Sequence, residues 1–444
     1  MRLLLLTPEF DSFGGGIITF YSHLASVLAG KGICLSVIEG SAFHAEKKSN
    51  VRSIGGIAVQ TLELDRLNTW ADRFSHLAAF PELRMHFAAA WAMWEQSGFG
   101  SEFDVVEASD WGFLFAPPVM DATCPVVVQC HGSVGQMVAH DPVIGNDAQN
   151  VAVRLLESAI LSRARTVQTY SLANAEFWHR ETGADASVIR PAWTAPSGRI
   201  DEPYSGRGLV AGRLQKWKGP QILCEALRLL GDKAPTVEWI GRDMVWETRN
   251  QSASAHLLRA YPEIFGTKII HLPTESPSRI ADRQAKSLFN LVPSTWDVFN
   301  FTVIEGMASG RPTIVSKGAG ASELVEDGVN GFVFPAGDAA ALADALRRVI
   351  ALGPAEAREI GGNAIQTVGR ELEPGAIAER RIAAYRASTE NFASNPPRPV
   401  GGWLGDICRP SVASENQMAF LENYPLRKLV DHVAARAVRR VWRQ

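Results

Sequence analysis

Two carboxylates, Asp297 and Glu305, close the ends of the stretch DVFNFTVIE, with no other charge between them. Asn300 is a good N-cap, and FTVIEGMAS can form a short helix after it. Gly310 supplies the stop and Pro312 opens the next strand. Val303, Ile304, Met307 and Ala308 would then make the buried face. Glu305 lies three and four residues after Thr302 and Phe301, on their face of the helix, and its side chain leans towards the N-terminus. Free backbone N–H groups there attract anions such as phosphate. Glu305 is therefore expected to stay ionised and to accept two hydrogen bonds from a vicinal diol. Asp297 precedes the turn, on the other side of the same pocket. One acid for a ribose, free amides for phosphate and one acid for a sugar hydroxyl would together hold a nucleotide sugar. On spacing alone, two acids serving only as cap and surface charges fit equally well.

A diphosphate also needs cations. The stretch GRLQKWKG (212–219) follows an apolar run and carries Arg213 and Lys218 five residues apart. A pair of unit charges about 4 Å apart is worth ~4 kcal/mol at an effective dielectric near 20, and arginine can grip phosphate oxygens in a bidentate fork. Standing alone, the stretch would more commonly be a solvated basic turn. No D-x-D occurs in the chain, and no His/Asp/Glu cluster has metal-ligand spacing. Side-chain cations and amides would then have to neutralise a leaving diphosphate without a metal. FGGGIITF (13–20) lets backbone approach a ligand and opens a helix. CHG (130–132) puts His131 at the C-terminal end of a strand, where ligands lie in open parallel sheets.

Short apolar runs separated by helix-like stretches must position these groups. RLLLL, CLSVIEG (34–40), FDVVEAS (103–109), PVVVQCHG (125–132) and RTVQTYS (165–171) read as strands. ITFYSHLASVLAGKG reads as an amphipathic helix ending at Gly32. Around 191–208 a Pro/Gly/Ser/Ala-rich stretch marks a linker. The alternation restarts with GLVAGRL, TVEWIG, KIIHLP, SLFNLVPS and PTIVSKG, and closes with helices near 338–351 and 376–388. Two Rossmann-like, doubly wound parallel-sheet domains facing an interdomain cleft follow.

Composition sets the bounds. At 444 residues, two or three domains are expected. A hydrophobic content of 46% with 20% charged residues is globular, and a net charge of −3 implies no nucleic-acid partner. Five scattered cysteines read as reduced thiols, although Cys124 and Cys130 lie close enough in sequence to pair. The run in MRLLLLTPEF is too short for a signal peptide and no stretch approaches a membrane span. The end of the chain, PLRKLVDHVAARAVRRVWRQ, has helical apolar spacing and carries Arg427, Lys428, Arg436, Arg439, Arg440 and Arg443 against Asp431. It reads either as a packed helix with a solvated basic face or as an interfacial helix on anionic lipid.

Taken together, GGG 14–16, HG 131–132, GRLQKWKG 212–219, PSTWDVFNFTVIEGMASGRP 293–312 and SELVEDGVNGFVFPAGD 322–338 resemble the retaining glycosyltransferases of family 4 (glycosyl transferases group 1), in order and separation from about residue 1 to 385. The resemblance implies the GT-B fold. It implies a donor-diphosphate role for Arg213 and Lys218, a ribose role for Glu305 and a sugar-hydroxyl role for Asp297. It places Gly15 and Gly16 near the phosphates, His131 near the reacting sugar, and the Asn300, Phe301 and Thr302 amides along the pocket. Arg213, Lys218, Asp297 and His131 form the catalytic set. Two departures touch the sugar end: Asp297 stands where Glu is usual, and Asn300 where Gly is usual.

The resemblance implies domains at 1–195 (acceptor side) and 205–375 (nucleotide-sugar side), a helix at 376–393 returning to the first domain, and a linker with basic tail at 394–444. It implies a hexose-type sugar taken from a UDP- or GDP-sugar, with no cofactor and no metal. With the basic tail, it implies as acceptor a glycan or lipid-linked glycan in envelope or exopolysaccharide synthesis, such as lipopolysaccharide. The protein is expected in the cytoplasm, peripheral on the inner face of the cytoplasmic membrane. A sugar-nucleotide epimerase and a lapsed, non-catalytic GT-B scaffold are the alternatives.

Overall fold

The computed structural model describes residues 1–11, 15–141, 147–194, 206–246, 251–411 and 417–441. Phe13 and Gly14 of the glycine-rich turn, 195–205 of the linker stretch and Arg443 of the tail lie outside them.

The first sheet has eight strands: β1 (Arg2–Thr7), β2 (Cys34–Glu39), β3 (Arg52–Ile54), β4 (Ile57–Thr61), β5 (Val105–Ser109), β6 (Val126–Gln129), β7 (Val167–Thr169) and β8 (Ala186–Val188), in the order β3-β4-β2-β1-β5-β6-β7-β8. All pairs are parallel except β3–β4. Both faces are covered, which is why β1 is a continuous leucine run: Leu3 and Leu5 enter one apolar cluster, Leu4 and Leu6 the other. The second sheet is fully parallel: β9 (Gly208–Ala211), β10 (Val237–Ile240), β11 (Ile269–Leu272), β12 (Phe289–Val292), β13 (Thr313–Ser316) and β14 (Phe332–Phe334), ordered β11-β10-β9-β12-β13-β14.

The sequence reading missed β3, β4, β8 and β14, three of them only three residues long. It also missed the helix Pro81–Gln96, whose run from Phe87 to Trp94 is buried all round and so shows no amphipathic period.

The two domains touch through apolar packing. The cluster holding Leu3, Phe20 and Tyr170 continues into Val298, Phe299 and Val303 of the second domain. Ala192 and Trp193, read as part of a linker, are instead buried in it. The Trp193 amide donates to the Leu372 carbonyl at 2.9 Å, so the two passages of the chain between domains lie side by side. The helix Pro374–Ser394 then packs on the helix Gly16–Gly30 and on β5 and β6.

The stretch after 394, also read as linker, is docked as a strap. The helix Gly402–Cys408 buries Leu404 and Cys408, Trp91 Nε1 donates to the Cys408 carbonyl at 3.0 Å, and Arg409 pairs with Asp121 at 2.7 Å. The chain continues into the exposed helix Leu426–Val441. Cys124 and Cys130 are free, buried thiols. Among the described residues, no helix is long and apolar enough to cross a membrane.

Candidate functional site

The helix after DVFN starts at Phe301 and ends at Ala308. Asn300 caps it with φ of 75°, its Oδ1 accepting from the Thr302 amide at 3.1 Å and its Nδ2 donating to Ser294 Oγ at 3.3 Å. The positive φ explains why glycine suits this position and why asparagine is tolerated. The Thr302 amide, expected to line the pocket free, is thus taken by the preceding side chain. Phe301, the first helical residue, has no intrahelical partner for its amide.

Arg213 leaves the C-terminal edge of β9, and Lys218 ends a short turn (Lys216–Lys218) that Trp217 buries. This turn is clamped to the acidic loop: the Thr295 amide donates to the Trp217 carbonyl at 2.7 Å. Gly219, with φ of 76°, lies so close to Pro293 that a Cβ would sit 1.9 Å from its carbonyl oxygen. Lys218 Nζ therefore reaches Asp297 Oδ2 and forms an ion pair, both side chains about one-fifth exposed. Backbone bonds fix Asp297 as well, its amide donating to Gly318 and its carbonyl accepting from Gly320.

Arg213 is exposed, yet crowded by charge from both domains: burial of its inner part pushes its pKa down, while Asp297, Asp141 and Glu9 push it up and Arg242 opposes them. It remains a cation at any ordinary pH. Glu305 is partly buried beside Gln284, and burial raises its pKa against a smaller opposing effect of the Gln284 side chain. Burial and the helix start thus act on the Glu305 carboxyl in opposite directions.

The first domain presents the opposite wall. The Gly16 position faces the Phe301 ring, 3.6 Å from where a Cβ would stand, and Gly15 faces Glu9. His131 follows β6, and Gly132 after it takes φ of 115° beneath Val298 of the second domain. Asp110 accepts both the His131 and Gly132 amides, at 2.9 and 3.2 Å. The ring is gripped at both nitrogens, Nδ1 by the Tyr170 hydroxyl and Nε2 by Tyr21 at 3.4 Å. Burial and, secondarily, Arg381 push its pKa well down, which keeps it neutral. Behind it, buried Glu107 accepts from Tyr21 at 2.9 Å, from Arg381 at 2.7 Å and from Tyr385.

Arg213, Lys218, Asp297, Asn300, Phe301, Thr302 and Glu305 are thus gathered at the C-terminal strand edges of the second sheet, facing Gly15, Gly16 and His131. Sequence reasoning missed Glu9, Asp141 and Arg242, and the His131 supports Tyr21, Tyr170, Glu107 and Arg381. Glu9 follows β1 and was within reach of the strand-edge rule. The supports come from four separate stretches and carry no local signal. The aromatic bridge of His140 stacked on Trp296, at 4.3 Å between ring centres, joins the two domains beside Asp297 and was also missed. Among the described residues, no group of three or more His, Cys, Asp or Glu side chains could hold a metal ion.

Two parallel-sheet α/β domains with a return helix and a cleft between their strand edges define the GT-B architecture. Residues 206–351 match the model of the family described as glycosyl transferases group 1. A D-inositol 3-phosphate glycosyltransferase from Kribbella flavida is 28% identical over 55% of this chain and 58% of its own length; the chain spans about half the length of the curated relatives it matches. Sucrose-phosphate synthase from Thermosynechococcus elongatus superposes with a TM-score of 0.67 at 19% identity, over 89% of this chain and all of its own. Anabaena HepE in complex with UDP-glucose gives 0.58 at 18%, over 89% of this chain and all of its own. At these identities the structures speak for the fold.

Proposed function

We propose that the protein is a retaining glycosyltransferase that moves a hexose-type sugar from a nucleoside-diphosphate sugar to a glycan or lipid-linked acceptor. The observation that carries it is the convergence of Arg213, Lys218, Asp297 and Glu305 on the mouth of one helix, opposite His131. The group 1 family match and the UDP-glucose bound by Anabaena HepE support a nucleotide-sugar donor. An epimerase would need no acceptor, and the GRLQKWKG turn paired with the Asp297 loop speaks against that reading.

In this reading the diphosphate lies between Arg213, Lys218 and the Phe301 amide, and Glu305 holds the ribose. Lys218 exchanges Asp297 for phosphate oxygen, which releases the Asp297 carboxylate to a donor-sugar hydroxyl. The two cations and the helix start stabilise charge that grows on the departing phosphate, without a metal. Among the described residues no side chain stands out as a covalent nucleophile, and in this reading the departing phosphate takes the acceptor proton on the face it leaves. Neutral His131 donates or accepts a hydrogen bond at the sugar through Nε2, whose bond to Tyr21 is long. The work is cytoplasmic, where nucleotide sugars are made.

The test is a thermal-shift panel with UDP, GDP, ADP and CMP on the wild type and Glu305→Ala. A diphosphate at about 100 times its Kd stabilises by ~2.7 kcal/mol. One nucleoside diphosphate should shift the wild type and not the variant. Arg213→Ala should then cut turnover with that donor by about 100-fold or more while the fold is kept. An absence of any shift would overturn the reading and favour a lapsed scaffold, in which the Lys218–Asp297 pair is permanent; an unchanged turnover rate in Arg213→Ala would remove Arg213 from the catalytic role.

A further inference from the structure

We infer that the helix Leu426–Val441 docks this protein on an anionic phospholipid surface. The helix has an apolar face on which, among the described residues, nothing covers the most exposed members: Leu426, Val430 and Val433 are 75%, 57% and 65% exposed. With Leu429 and Ala437 they recur at i, i+3, i+4, i+7 and i+11, one stripe along the helix. Arg427, Lys428 and Arg436 leave the same helix exposed, and residues 426–441 carry five Lys/Arg against the single acid Asp431. That concentration of positive charge contrasts with a whole chain of net charge −3.

An exposed apolar stripe bordered by cations fits a partner that offers a hydrocarbon layer beneath a layer of negative charge, and a lipid surface with anionic headgroups is such a partner. The long cationic side chains can stay among the headgroups while their stems cover the apolar edge. Exposed Tyr424 stands just before the helix, and such rings favour the membrane–water boundary.

The tether makes this docking useful. The strap before the helix is fastened to the first domain by Trp91, by Arg409 on Asp121 and by the Ser411 amide on the Arg73 carbonyl at 2.9 Å. Docking would therefore hold the first domain at the surface. The inference rests on the helix and its charges, not on the sugar-transfer reading.

The experiment is co-sedimentation of the full chain with vesicles of phosphatidylcholine alone and of equimolar phosphatidylcholine and phosphatidylglycerol. The protein should pellet with the mixed vesicles and not the neutral ones, less so as salt is raised. Each cation near an anionic surface strengthens binding by about five-fold, so Arg427→Glu/Lys428→Glu/Arg436→Glu should weaken binding by about 100-fold or more. Leu426→Gln/Val430→Gln/Val433→Gln, which keeps the charge, should weaken it by at least about ten-fold. Equal binding to neutral vesicles, unaltered binding by either variant, or helix-dependent self-association or nucleic-acid binding in place of vesicle binding would overturn the proposal. A retained nucleotide thermal shift in the variants shows the fold intact. Loss of that shift in the wild type would count against the donor reading alone.

Discussion

Asn300 sits in the left-handed region and spends its side chain on the Thr302 amide, a second donor that a phosphate at the Phe301 amide would otherwise meet. Asn300→Gly should keep stability within about 0.5 kcal/mol, since glycine accepts the same φ and is a fair N-cap. It should also tighten binding of the preferred nucleoside diphosphate by several-fold, because the Thr302 amide is released. Titration calorimetry checks this, and weaker binding would mean that the asparagine itself holds the ligand. Another single residue sets a pH response. Burial lifts the Glu157 carboxyl from 4.5 to about 8, with Ser133 Oγ donating to it at 2.7 Å. Between those values the folded chain keeps a proton that the unfolded chain has lost, so this stability is full below the lower value and drains away as pH rises through the upper one. Asp110, lifted to about 7, acts in the same direction. Urea denaturation should show stability falling by about 2 kcal/mol from Glu157 alone between about pH 6 and pH 9, and Glu157→Gln should flatten that slope. A slope as steep as the wild type's would remove Glu157 from the account. At this scale the sequence showed the acids and cations plainly, since their types and spacings are local. It did not show that Lys218 and Asp297 are paired or that burial acts against the helix start at Glu305, because both depend on stretches far apart in sequence.

The donor side is built where two loops are pressed together, and Gly219 permits the approach. Gly219→Ala would place a methyl group on the Pro293 carbonyl in a strained backbone. We expect a loss of about 2–4 kcal/mol together with loss of the nucleotide shift, both read by thermal denaturation with and without ligand. A stable variant that still binds would show that the turn can retreat. Strands buried on both faces announced themselves as unbroken apolar runs, and the helices opened at Asn300 and after the first strand carried their own start signals. Elements that lack such marks were invisible. The helix Pro81–Gln96 has no polar face to give it a period, and the strap near Gly402–Cys408 reads as Pro/Gly punctuation although Leu404 and Cys408 are packed.

Across the whole molecule, the return helix is fastened by charge. Arg381 and Glu107 are wholly buried, and their pair ties the helix Pro374–Ser394 to β5 beneath His131. Arg381→Met should destabilise the first domain by about 3–5 kcal/mol by leaving Glu107 unpaired, and adding Glu107→Gln should recover part of the loss. Urea unfolding of both variants tests this; a double variant no better than the single would mean that Arg381 acts through its packing over Phe20. The doubly wound layout was legible from alternation alone. The closeness of the two interdomain passages was not, because the 2.9 Å bond from Trp193 to Leu372 joins positions about as far apart as a domain is long. That return has a consequence for synthesis on the ribosome. The first domain is translated first, but its buried Glu107 waits for an arginine made 274 residues later. The second domain is complete before that arginine is added, so the half of the protein that leaves the exit tunnel first is the half that matures last.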